Sequence, residues 1–76
     1  MESYKNAKAV TPSDSQGLGF VARGFSVGTS APITVDTLGG NTNVTIACGS
    51  NAGIYNLAIT KVYATGTTAT GITVYW

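Results

Sequence analysis

The side chains able to carry chemistry are few: one cysteine, three carboxylates (Glu2, Asp14 and Asp36), four cations (Lys5, Lys8, Arg23 and Lys61) and no histidine. Nucleophilic catalysis needs a hydroxyl or thiol with a base beside it. Cys48 is followed by Gly49 and has no basic neighbour in sequence to draw out a thiolate, so it reads as a small apolar residue. Asp14 and Asp36 are too far apart in sequence for their spacing to specify an acid/base pair, and capping or solvation roles suit them better. A single cysteine with no histidine leaves no structural or catalytic metal set. Gly17-Leu18-Gly19 lacks the following helix and the Lys-Ser/Thr pair of a phosphate loop and reads as a turn. The expectation is a protein that is not an enzyme and takes no cofactor and no metal.

What remains for recognition is aromatic: Tyr4, Tyr55, Tyr63, Tyr75 and Trp76. Large amphipathic rings anchor cores and subunit interfaces, and they also stack on sugars. The first use makes Tyr4, Tyr63, Tyr75 and Trp76 candidates for an oligomer or docking interface. Arg23 and Lys61 join them, because alternation puts each in an apolar row of its strand, where a cation must snorkel, pair or reach an interface. Asp36 is the expected partner for one of the two. The second use defines the alternative function, a carbohydrate-binding or adhesin module.

The elements that would position these groups are strands. Twelve threonines lie mainly inside apolar stretches, while the ten glycines and five asparagines lie between them. Residues 19–27 alternate, with Val21, Arg23, Phe25 and Val27 on one face. Residues 33–47 read as a hairpin with a short loop at Gly39-Gly40-Asn41, Ile33 and Val35 facing one way and Asp36 the other. Residues 54–65 form the longest expected strand, and the chain closes on a strand carrying Ile72, Val74 and Trp76 on one face. Thr11-Pro12-Ser13-Asp14 has the order of a helix start, but Gly17 and Gly19 limit it to one turn. The expected fold is all-β: a single domain over residues 1–76, a small β-sandwich or partly open barrel of five to six short antiparallel strands, with residues 1–18 as an N-terminal arm and turn.

Charged residues make up 9% of the chain, far below the ~25% of ordinary soluble domains. A net charge of +1 supplies no basic patch, which excludes sequence-independent binding to nucleic acid. No apolar leader and no stretch near ~20 apolar residues is present, so neither a signal peptide nor a membrane partner is expected, and synthesis is expected in the host cytoplasm. A domain this small buries only about 60% of its unfolded surface and here has no disulfide or metal to compensate. Homo-oligomerisation, as trimer or pentamer, is the expected stabiliser.

Several stretches together resemble the head-spike base proteins of tailed phages and gene transfer agents. They are Ala9-Val10-Thr11-Pro12-Ser13-Asp14, Ala22-Arg23-Gly24-Phe25-Ser26-Val27-Gly28, Thr34-Val35-Asp36-Thr37-Leu38-Gly39-Gly40-Asn41-Thr42, and the closing Ile59-Thr60-Lys61-Val62-Tyr63-Ala64-Thr65-Gly66-Thr67-Thr68-Ala69-Thr70-Gly71-Ile72. The resemblance implies an all-β virion structural protein, a symmetric oligomer on the phage head that contacts the major capsid protein or other virion proteins and supports a spike or fibre. The chain departs from the family pattern at residues 29–32 and 48–55, which leaves the docking position open between capsid vertex, head surface and tail.

Overall fold

The computed structural model describes residues 3–76; Met1 and Glu2 of the expected N-terminal arm lie outside the described residues. Six strands follow one another: β1 (Ala7–Ala9), β2 (Gly24–Ser26), β3 (Ile33–Thr37), β4 (Val44–Ile46), β5 (Ile59–Tyr63) and β6 (Thr73–Tyr75). They form two antiparallel three-stranded sheets, ordered β1-β6-β2 and β4-β3-β5. Two isolated bridges, Ala22 with Ile59 and Phe25 with Tyr55, join the sheets along β2 and β5. Each bridge is a reciprocal pair of backbone bonds, at 2.9 Å in both directions for Ala22–Ile59 and at 3.1 and 2.7 Å for Phe25–Tyr55. The result is an all-β sandwich closed along one side, between the two architectures expected.

Strands β2, β3, β5 and β6 each bury side chains against the other sheet. Phe25, Ile33, Val35, Ile59, Val62 and Val74 are the large side chains withdrawn from water, and Ile72 and Ala22 complete the layer. Each such aliphatic or aromatic residue contributes about 1.5–3 kcal/mol when fully buried. Thr34 is also buried, on the opposite face of β3, because the turn after β5 folds over it. Gly66 makes that approach possible: its φ is +87° and a Cβ there would stand 2.5 Å from Thr34 Oγ1.

Several strand boundaries differ from expectation, each for a local reason. β1 was not expected, since Ala-Lys-Ala has no apolar alternation; all three residues are exposed, as an edge strand allows. The expected helical turn at Thr11–Asp14 is absent. Ser13 Oγ instead accepts the N–H groups of Ser15 and Gln16 at 3.4 and 3.3 Å, and Ser13 N–H donates to Val62 at 2.9 Å, so the arm lies along the outer edge of β5. The expected strand 19–27 shortens because a bend at Arg23 breaks its alternation: Ala22 and Phe25 both face the core and Arg23 leaves the apolar row for solvent. The hairpin loop covers residues 38–43, longer than expected, with Thr37 Oγ1 and Asn41 bonded to each other across it.

The longest expected strand, 54–65, contracts to β5 and carries a bulge. Asp36 pairs with Lys61 but Thr37 pairs with Ile59, so Thr60 is an extra residue on β5. That insertion lets Ile59 and Val62 both face inward and turns Lys61 out of the row it shares with Ile59 by simple alternation.

β6 is the central strand of its sheet, and the backbone of Trp76 continues the pairing by accepting from Lys5 and Asn6, each at 2.8 Å. Deleting Tyr75 and Trp76 should therefore abolish cooperative folding, measured by far-ultraviolet circular dichroism and loss of a thermal transition. A truncated chain that still melts cooperatively would contradict this placement.

Candidate docking surface

The six candidate interface residues separate into two groups on different parts of the molecule. Tyr4, Arg23 and Trp76 line one open groove of ≈ 1080 Å³ together with Lys5, Ile54 and Asn56. Tyr75 stands behind it, its ring 5.8 Å from that of Tyr4 and its hydroxyl 2.8 Å from Ser26 Oγ. Trp76 is half-buried, with its ring centroid 4.3 Å from that of Phe20, so the indole is a packed anchor with one side toward the groove. The Tyr4 hydroxyl lies within 3.4 Å of Asn56 Oδ1 and 3.5 Å of the Arg23 carbonyl oxygen. Beneath it sits Gly24, where a Cβ would meet Tyr4 Oη at 2.7 Å and Ile54 Cγ2 at 2.9 Å.

Lys61 and Tyr63 belong to the outer face of the other sheet. Lys61 Nζ donates to the Asp14 carbonyl oxygen at 2.6 Å and lies 4.4 Å from the centre of the Tyr63 ring. Asp36, opposite Lys61 in register, gives one oxygen to two donors: the Asn43 N–H at 2.9 Å and the Tyr63 hydroxyl at 2.8 Å. Those two bonds, the Asn43 one foremost, hold its carboxyl below the usual range. Asn43 reaches that position with φ at 54°, a conformation asparagine tolerates better than most residues. Asp14 is held low in the same way by Thr65, whose hydroxyl and N–H donate to it at 2.5 and 2.8 Å. The two carboxylates thus fasten the arm and the β3–β4 loop to β5. Burial pushes the Cys48 thiol up, away from a reactive thiolate.

The five rings proposed for sugar stacking do not converge. Tyr55 stacks on core Phe25 at 5.2 Å and gives its hydroxyl to Gly49 N–H as acceptor at 2.7 Å, Tyr63 lies on the opposite sheet, and Tyr4, Tyr75 and Trp76 share one end. Ile54 and Asn56 are groove residues that sequence reasoning missed. Nothing in their residue types set them apart from the strand expected over residues 54–65. Gly24 inside a strand was a signal for close approach by another group.

A chain of a solved structure, "Capsid of native GTA particle computed with C5 symmetry", superposes on this fold with a TM-score of 0.83 and 30% sequence identity, covering 97% of this chain and 84% of its own length. The protein belongs to the family of that gene-transfer-agent capsid chain. No family model and no curated protein matches it. For this family of phage-type virion proteins, the match spans both sheets and the groove, since nearly the whole of the present chain is aligned.

Two predictions follow from the geometry. Asp14 and Asp36 have folded-state pKa values below their unfolded ones, so their stabilisation is fully present above about pH 4 and is lost as pH falls through the folded values. Denaturant unfolding followed from neutral pH to pH 2 should show stability declining below about pH 4, and the decline should flatten in an Asp14→Asn/Asp36→Asn variant. Gly24→Ala should displace Tyr4 and Ile54 and lower stability by about 1–3 kcal/mol; a variant as stable as the parent would show that the groove floor has room.

Proposed function

We propose that the chain is a non-enzymatic structural subunit of a tailed-phage-type virion: a head spike-base or capsid-decoration protein that forms a trimer or pentamer, docks on the major capsid protein or another virion protein, and supports a spike or fibre. The carrying observation is the likeness, at 30% identity over 97% of the chain, to a chain of a gene-transfer-agent capsid. Its location on this reading is the virion.

The physical character of the molecule supports the same role. With 9% charged residues, the domain has little to solvate an isolated surface, and neighbours in a particle would cover what water covers poorly. Its two best-placed carboxylates are engaged in fastening loops, and its thiol is buried, which suits a building unit better than a catalyst. A five-subunit ring fits a five-fold axis and a trimer fits a local three-fold, and the reading accommodates either.

Sedimentation velocity on the purified chain should give three or five times its 7.7 kDa mass, and peptides of the chain should appear in purified particles by mass spectrometry. A monomer at micromolar concentration with intact β circular dichroism would remove the oligomer, and particles free of the chain would remove the virion assignment.

A further inference from the structure

The exposed large apolar side chains and two of the four cations gather at one end of the sandwich. Leu38, Ile54 and Val21 are the large hydrophobic residues left exposed, at 59%, 45% and 38%. Ile54 projects into the groove with Tyr4, Arg23 and Trp76. Leu38 N–H donates to the carbonyl of Ala58 at 3.0 Å, and the next residue, Ile59, is bridged to Ala22, between Val21 and Arg23. The backbone therefore brings Leu38, Val21 and Arg23 to the same end as the groove. Arg23 and Lys5 are the charged side chains lining that groove, and no carboxylate side chain lines it among the described residues.

The opposite end has a different chemistry. It consists of residues 28–32, 48–53 and 66–71, which contain no charged side chain. Several of their polar groups are used on one another: Thr29 Oγ1 accepts Thr70 N–H at 2.9 Å, Ser30 Oγ accepts Ser50 N–H at 3.0 Å, and Thr68 N–H donates to Pro32 at 3.0 Å. An end that satisfies itself makes little demand on a partner. An end with three exposed aliphatic side chains, a half-buried indole and two cations does.

Resting on the virion reading above, we propose that the groove end is the docking surface for a different protein of the particle, and that its occupant presents a large apolar side chain beside a carboxylate. The apolar part would fill the space around Ile54 and Trp76, and the carboxylate would meet the Arg23 guanidinium, with Lys5 adding to the field. In a second copy of this chain, Asp14 and Asp36 already have partners away from the groove end. Both are committed at the outer face of β5, to Thr65 and to Tyr63 with Asn43. Among the described residues no carboxylate side chain lies beside the two cations, and the proposal assigns their acid to the partner.

The test is incorporation into particles made in the source cells, with copies per particle counted by quantitative mass spectrometry. Ile54→Asp and Arg23→Glu change exposed side chains, and circular dichroism and melting of the purified variants establish that they fold; Arg23→Gln is the milder substitute for the second. Each should reduce incorporation roughly tenfold or more, while Asn51→Asp and Thr68→Asp at the opposite end should leave it unchanged. Folded groove variants that enter particles at the parental level would overturn the proposal. So would groove variants that lose the homo-oligomer in solution, since the occupant would then be a second copy. A parental chain that itself never enters particles would instead overturn the virion reading, and this proposal with it.

Discussion

The fold depends on β6, the strand built from the last residues of the chain, being held between β1 and β2. Val74 is fully buried at its centre, and the backbone on either side is bonded to segments from the first third of the sequence. Neither neighbour can pair usefully with anything else in this sheet. The ends of the chain must meet before one of the two sheets exists, so loop closure over nearly the whole length precedes the reward. Everything at the groove end follows from that meeting: Tyr4 against Tyr75, Trp76 against Phe20, and Gly24 left bare so that Tyr4 and Ile54 can close over it.

Alternation in the sequence was enough to read the all-β class, the 33–47 hairpin and the inward face of Ile72 and Val74, because those segments carry β-branched residues at period two with glycine at their ends. It failed where the backbone changes phase. A bulge at Thr60 and a bend at Arg23 each shift a strand by one residue, and both release a cation from an apolar row. Nothing in residue type announces such a slip, since threonine and arginine are ordinary strand residues. β1 escaped notice for the opposite reason: an exposed edge strand needs no apolar pattern, and only its pairing with β6 defines it.

The candidate site was legible in part. The aromatic residues and the two cations were singled out by type and alternation, but sequence could not say that they would divide between two surfaces. Arg23 joined Tyr4 and Trp76, whereas Lys61 went to Tyr63 and the Asp14 carbonyl. Ile54 and Asn56 flank Tyr55, whose isolated bridge to Phe25 carries the segment before β5 along β2 to the groove. With only seven charges in the chain, their distribution is unusually informative: two anions fasten loops, two cations are left at the groove, and one end carries none. A surface sorted in this way suits a subunit with one committed contact and one inert end.

The most direct measurement is a cryo-electron microscopy map of the source particle at a resolution that traces strands. The account predicts this β-sandwich on the outside of the head, its Trp76 end seated against a neighbouring protein. The loops at residues 28–32, 48–53 and 66–71 should turn away from that contact. Density for the chain in the tail, or a Trp76 end open to solvent with the uncharged loops buried, would contradict it.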